Sequence, residues 1–228
     1  EKAEARGILS PADKSEVVHA PDRRVMLGKS WVSDKPLRDR GCTAWKAQLH
    51  LDVGSHTVGN ECMRSPRVRH TSVLDFANDP STKGAAVMCS EITAGFSHIA
   101  YSHAVAKALA FRDGHGRLWC NKTLVVGDKC GPALFSCLMA EALRQGRAQG
   151  LRLLACLDEV VLWHPDGASA CAADFATWVD LCKRLGLRLN LMKSFAEPAH
   201  RFTWLGAQID TRRSASQVRA AHAPEPSD

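Results

Sequence analysis

The 228-residue sequence has no Cys-x-x-Cys pair, no apolar run of membrane-spanning length and no excess of acid. Its nine cysteines are scattered at positions 42, 62, 89, 120, 130, 137, 156, 171 and 182, several of them inside apolar runs. An odd number without paired spacing argues against a disulfide scaffold or thiolate zinc site, and for buried free thiols in a reducing compartment. The ten histidines do not supply a zinc site either. The nearest mixed set, His98, His103, His115 and Cys120, lacks the spacing that structural zinc uses. The longest apolar stretches, Ala104 to Phe111 and Leu151 to Val161, are broken by Lys107 and by Arg152, Asp158 and Glu159. They fall short of the roughly 20 residues of a helical span, and no membrane partner is expected. The chain begins with Glu1 rather than Met, for which a cleaved organellar presequence is one origin.

What is present fits a globular fold: 45% hydrophobic and 24% charged residues, in a length suited to one sizeable domain or two small ones. The net charge of +6 is concentrated. Between residues 183 and 219, Lys183, Arg184, Arg188, Lys193, Arg201, Arg212, Arg213 and Arg219 face only Glu197 and Asp210, so this stretch carries the whole surplus. A polyanionic partner would find it attractive, and a merely solvated basic face would read the same way.

Four regions follow from composition and periodicity. Residues 1–40 are polar, with Pro11, Pro21 and Pro36, and read as an extended N-terminal arm. Residues 41–84 form an irregular segment with a strand-like piece at Ala47 to Val53 and basic Arg64, Arg67 and Arg69. Residues 85–210 hold the organised part, and 211–228 form a polar tail rich in Ala, Ser and Pro. Within the organised part, Ala85 to Ile92 is an apolar strand. Ala106 to Phe111 and Arg117 to Val126 flank Asp113-Gly114-His115-Gly116 as a hairpin. Pro132 to Gln149 carries helical stripes (Leu134, Leu138, Ala142; Phe135, Met139, Leu143) stopped by Gly150. Leu151 to Leu157 and Val160 to Trp163 are strands joined by a two-residue acidic turn, Asp158-Glu159. A second helix from about Ser169 to Leu185 ends at Gly186, and Leu187 to Leu191 and Phe202 to Ile209 return to strand character. The expected fold class is α+β, an antiparallel sheet with helices packed on one face.

Asp158 and Glu159 repel each other at a tight turn, and Glu91 ends a neighbouring apolar strand. Three carboxylates converging there would suit Mg²⁺ and in-line phosphoryl transfer; acids exposed at strand ends are the plain alternative.

From Glu91 to Asp210 the sequence resembles the palm of a retroelement reverse transcriptase. The resemblance runs through six ordered motifs. Glu91-Ile92-Thr93-Ala94-Gly95-Phe96 stands for the Asp-to-aromatic motif, and Ala110 to Cys120 for the hairpin after it. Thr123 to Gly127 with Gly131-Pro132 and Phe135 stands for the Leu-Pro-Phe-Gly loop and its helix, and Cys156-Leu157-Asp158-Glu159 for Tyr-x-Asp-Asp. Leu185-Gly186-Leu187 with Asn190 and Lys193, and Phe202 to Gly206, resemble the next motif and the primer-gripping hairpin. The resemblance implies a reverse-transcriptase-like palm over residues 85–210 and makes the irregular segment 41–84 fingers-like. It makes Glu91 and Asp158 the metal ligands with Glu159 a weaker third, and Phe96, Val126, Gly127 and Lys193 the remnants of a nucleotide pocket. RNA would be bound by Lys183, Arg184, Arg188, Lys193, Arg201, Arg212 and Arg213.

The departures fall on the chemistry: Glu for the first Asp and for the last, Cys156 for Tyr, and Val125-Val126 for Pro-Phe. A Glu moves its carboxylate by more than ~1 Å, which can cost ~100-fold where two metals are held in register. The expectation is therefore a non-catalytic module with no cofactor beyond a possible Mg²⁺. It would bind RNA, such as ribosomal RNA, within a large ribonucleoprotein such as a mitochondrial ribosome or its assembly intermediate, with the arm and tail held by neighbouring proteins. An active RNA-directed DNA polymerase using Glu ligands, and a protein-only scaffold, are the alternatives.

Overall fold

A computed structural model of the chain describes residues 9–11, 28–36, 45–51, 64, 66–112, 115, 117–190, 193–194, 197–213 and 219–220. The chain divides into two compact units, Glu1–Pro66 with Phe96–Gly131, and Arg67–Gly95 with Pro132–Asp228.

The first unit is built on a five-stranded sheet of β1 (Leu9–Pro11), β2 (Gly28–Pro36), β3 (Trp45–Leu51), β5 (Phe111–Arg112) and β6 (Leu118–Asn121), in the order β1-β6-β5-β2-β3. Its pairs are antiparallel except β2 with β5, which run parallel. Leu9–Pro11 and Gly28–Pro36 lie within the stretch read as an extended arm. They are strands because distant partners, β6 and β5, complete their ladders, a non-local pairing that no local pattern announces. The hairpin of β5 and β6 forms as expected, with Phe111 opposite Trp119. Of its turn only His115 is described. The strand expected from Ala106 is instead a short helix, α2 (His103–Ala108). It forms because Ser102, in extended conformation, accepts the Val105 N–H with its hydroxyl and caps the first turn. Ala106, Ala110, Leu118 and Cys120 are this unit's small core, with Tyr101 packed against it.

The second unit centres on a three-stranded antiparallel sheet of β4 (Ala86–Glu91), β7 (Leu153–Cys156) and β8 (Glu159–His164), in the order β4-β8-β7. Alternation along β4 sends its residues to two faces. On one face Ser90 accepts the indole N–H of Trp178, a fully buried residue of helix α4 (Ala168–Arg184). Helix α3 (Gly131–Ala148) also reaches β7, where Arg147 donates to the Leu153 carbonyl at 2.9 Å. On the opposite face Val87, Cys89, Val161 and Trp163 pack against Phe202, Trp204 and Ile209. These three belong to β9 (Arg201–Trp204) and β10 (Ala207–Asp210). Phe76, from helix α1 (Val73–Ala77), plugs this layer by edge-on contacts with Trp163, Phe202 and Trp204. The helices thus cover one face, as expected, and a β-hairpin covers the other. Within the stretch read as a polar tail, β11 (Arg219–Ala220) pairs with β10. No helix among the described residues is long and apolar enough to cross a membrane.

Candidate active site

Two tight hairpins and the end of β4 assemble the site in the second unit. β7 and β8 are joined by a two-residue loop, because Cys156 pairs with Glu159. The turn is therefore Leu157-Asp158 and not Asp158-Glu159. The physical reason is Leu157, a non-glycine residue in the left-handed region at φ 53°, which tightens the chain one residue earlier and returns Glu159 to the strand. Such backbone costs of order 1–3 kcal/mol and persists where surrounding structure over-determines it. Here the Ile92 N–H donates to the Asp158 carbonyl at 2.8 Å and fixes the turn to the end of β4.

Glu91 is the Cα partner of Glu159. Its own carbonyl accepts from Asn190 N–H at 2.7 Å, Thr93 N–H donates to the Arg188 carbonyl at 2.6 Å, and Ile92 bridges to Leu189. The segment after α4 is thereby stitched along the end of β4, which delivers Lys193. Its ammonium donates to Glu91 Oε1 at 2.8 Å, the ammonium side half-exposed and the carboxylate mostly covered. Glu91 thus holds the Lys193 ammonium charged to a higher pH than a free lysine. Asp158 is pushed the other way for an acid. Burial raises it above the ordinary carboxylate range and the Glu91 charge adds to this, while its own backbone N–H and Lys193 pull it back. Glu159 is tied elsewhere by hydrogen bond, its Oε2 accepting the Leu205 N–H at 3.4 Å, while its charge still acts on Lys193 together with those of Glu91 and Asp158. Leu205 (φ 49°) and Gly206 (φ 73°) form the two-residue turn of β9 and β10, in which both central residues need positive φ.

Among the described residues no three His, Cys, Asp or Glu side chains form a group able to hold a metal ion. The expected convergence of three carboxylates reduces to a pair. That pair still fits Mg²⁺, which is commonly held by one or two carboxylates and completes its shell with water and substrate phosphate oxygens. The Glu91 charge acts on Asp158 beside the effect of burial, and Lys193 offsets it in part.

The remaining expected residues distribute as follows. Phe96 lies in the first unit, on a short 3₁₀ turn (Gly95–His98); a Cβ placed on Gly131 would come within 3.6 Å of its ring. Val126 stands at a loop tip, 80% exposed, beside Gly127 at φ 102°. In the second unit, Arg184, Arg188, Arg201 and Arg212 are exposed. Lys183 pairs with Asp180 at 3.2 Å and Arg213 with Asp210 at 3.5 Å, so part of the sequence's basic surplus is neutralised locally. Leu157 and Leu205, whose backbones set the two hairpins, were not singled out from the sequence. For Leu205 a signal exists, the Leu-Gly dipeptide between apolar strands; a left-handed leucine at 157 carries none.

No family model matches the sequence, and neither does any curated protein. Solved structures do. The foamy viral protease-reverse transcriptase dRH in complex with double-stranded DNA is similar over 92% of this chain, with a TM-score of 0.68 and 16% identity. The foamy viral protease-reverse transcriptase in complex with dsDNA is similar over 91%, at a TM-score of 0.67. A native prototype foamy virus protease-reverse transcriptase is similar over 91%, at 0.64 and 17% identity. The chain spans 32%, 38% and 24% of those chains respectively. The chain has a reverse-transcriptase-like fold, an α+β arrangement of antiparallel sheet and helices. The expectation that it is not an enzyme is corrected here. It rested on one extra methylene at two carboxylates and on Val125-Val126 in place of the loop's Pro-Phe, whereas the fold is shared with proteins whose names state a reverse transcriptase, and Glu91 still lies near Asp158 and Lys193.

Proposed function

We propose that the chain is the palm-bearing part of an RNA-directed DNA polymerase in which Glu91 and Asp158 hold Mg²⁺. The observation that carries this reading is the meeting of Glu91, Asp158 and Lys193 at the end of β4 and the β7–β8 turn, in a reverse-transcriptase-like fold. Mg²⁺ at such a pair supplies Lewis-acid polarisation of a phosphoryl oxygen and activation of the attacking hydroxyl. The protein's own contribution is positional. Glu91 is anchored by the Asn190 N–H on its carbonyl, and Asp158 by the strained turn and the Ile92 N–H. Lys193, on a flexible four-carbon stem, balances the two carboxylates and offers its ammonium to the phosphates of an incoming nucleotide. Glu159 serves the scaffold, tying β8 to the β9–β10 turn. Exposed Arg184, Arg188, Arg201 and Arg212 supply charge for a nucleic-acid backbone. The same surface would serve a place in an RNA-containing assembly, mitochondrial or other, and nuclease-sensitive co-purification tests that partner.

The decisive experiment is primer extension on a primed RNA template with Mg²⁺ or Mn²⁺. The expected result is nucleotide incorporation that Asp158→Ala abolishes. A folded protein that extends no primer on RNA or DNA overturns the polymerase reading.

A further inference from the structure

Lys193 reaches the carboxylates from a stretch of chain that has length to spare. Leu189 bridges to Ile92, and the Asn190 N–H donates to the Glu91 carbonyl at 2.7 Å. Further on, Ala199 and Val87 exchange N–H to carbonyl bonds at 2.9 Å in both directions. From Leu189 to Ala199 the chain advances ten residues, while the chain beside it advances five, from Ile92 to Val87. At about 3.3 Å per residue along a strand, the span is bridged with roughly 17 Å of chain to spare. Lys193 lies between the two anchor points. Its bond to Glu91 Oε1, at 2.8 Å with the ammonium side half-exposed, is not enough to place it. An exposed ion pair is worth only about two- to fivefold in an equilibrium, less than the entropy lost in ordering a lysine side chain, before the surplus backbone is counted. The backbone that carries Lys193 must therefore be fixed by something else.

Asn190 supplies the fixed point and Ser194 the tie. The Asn190 carbonyl accepts two hydrogen bonds, one from the Lys193 N–H at 3.1 Å and one from the Ser194 hydroxyl at 2.8 Å. Because the Asn190 N–H is itself on the Glu91 carbonyl, a single residue connects the backbone of the carboxylate to the backbone of the ammonium that meets it. The Ser194 bond is partly buried, where a lost partner costs more than at the surface. We propose that Ser194 is a positioning residue for the carboxylate site: its hydroxyl, on the Asn190 carbonyl, fixes the backbone of Lys193 and so keeps the ammonium on Glu91. The use of that ion pair rests on the polymerase reading. The tie rests only on hydrogen bonds within the second unit.

A double-mutant cycle with two readouts tests this. The first is acetylation of Lys193 by a small neutral acylating reagent at fixed pH, read by mass spectrometry against exposed Lys83 of the same unit. Ser194→Ala should raise the Lys193 rate about two- to fivefold, and Ser194→Thr, which keeps the hydroxyl, should restore the parent rate. The second is Mn²⁺ affinity. Ser194→Ala should tighten Mn²⁺ in the same direction as Lys193→Met and, added to Lys193→Met, should change nothing further, because two changes that act through one contact are not additive. An unchanged Lys193 rate in Ser194→Ala overturns the tie, and a rate raised equally in Ser194→Thr takes the effect away from the hydroxyl and overturns it too. A shift in Mn²⁺ affinity that persists when Lys193 is already methionine overturns the positioning role. A parent protein that binds no Mn²⁺ sinks the polymerase reading, and the acetylation rates alone then decide the tie.

Discussion

Glu91 and Glu159 are direct cross-strand partners, yet their carboxylates are held by different groups, Glu91 by Lys193 at 2.8 Å and Glu159 by the Leu205 N–H at 3.4 Å. Directly opposed side chains of an antiparallel pair share a face, with Cβ atoms only ~5 Å apart, and like charges there are destabilising. Each therefore needs its own partner, and the longer reach of Glu lets the two diverge. The consequence is a divided site, with Glu91 and Asp158 facing Lys193 and Glu159 bound into the scaffold.

That division makes Lys193 a competitor for the metal. Removing the ammonium with Lys193→Met leaves Glu91 and Asp158 without a counter-charge, so Mn²⁺ should bind more tightly, by about two- to fivefold for an ion pair this exposed. Glu91→Gln should weaken Mn²⁺ binding, and Glu159→Gln should change it little. Titration of Mn²⁺ followed by its spin resonance reads all three. Equal affinity in Lys193→Met and the parent would show that the ammonium and the ion do not share Glu91.

Asp158 sets a pH dependence of stability with a defined sign. Its pKa is raised on folding, chiefly by burial and then by the Glu91 charge, so over the window between its unfolded and folded values the native state binds more protons than the unfolded one. Stability from this group is therefore lost as pH rises through that window, which begins at the ordinary Asp value of 3.8. Asp158→Asn removes the dependence. The variant should gain on the parent as pH rises above 4 and match it most closely below, in denaturant midpoints measured across the acid range. Parallel curves at every pH would mean that Asp158 is not desolvated.

Most of the second unit could be read from the sequence because its signals are local. The apolar run of β4, the stripes of α3 and α4, and the paired strands β7–β8 and β9–β10 announce themselves by period and by turn residues. What escaped depends on partners far along the chain or on single backbone angles. Leu9–Pro11 and Gly28–Pro36 are strands only because β6 and β5 meet them. The acidic turn was misplaced by one residue because the left-handed Leu157 has no compositional mark. A one-residue shift decides which carboxylate sits on the strand, since side chains alternate faces. The Lys193 to Glu91 contact joins residues 102 apart, so its chemistry was suggested by the resemblance and not by any spacing.

The contact of Gly95 with Phe135 sets a packing limit beside the site. A Cβ on Gly95 would lie 2.6 Å from Phe135 Cζ, and Phe135 is completely buried, so its ring has nowhere to go. Gly95→Ala should destabilise by about 1–3 kcal/mol through overpacking. Gly146→Ala is the contrast. Its Cβ would meet the side-chain ends of Leu153 at 3.0 Å, Leu151 at 3.5 Å and Leu181 at 3.7 Å, of which only the first is tight, and alanine gains about 0.8–1 kcal/mol over glycine within a helix, so the variant should lie within about 1 kcal/mol of the parent. Urea midpoints separate the two. If Gly95→Ala is neutral, the chain near Phe96 yields and the aromatic it carries is not rigidly placed.

The last prediction concerns nucleic acid and follows from which cations the fold leaves exposed. Arg201 begins β9 and Arg212 follows β10, both exposed in the second unit, whereas Lys183 is paired with Asp180. Arginines and lysines on such a surface meet phosphates and fix position without reading sequence. Each phosphate neutralised adds about 0.7 to the slope of log affinity against log salt for a single strand. Replacing Arg201 and Arg212 together by alanine should therefore flatten that slope by roughly 1.4 and weaken unrelated RNA sequences alike. Lys183→Ala should change it less, because Asp180 beside it offsets part of its charge. Anisotropy with single-stranded RNA at several salt concentrations supplies the slopes. An unchanged slope in the double variant would place the phosphates elsewhere on the protein and remove these two arginines from the interface.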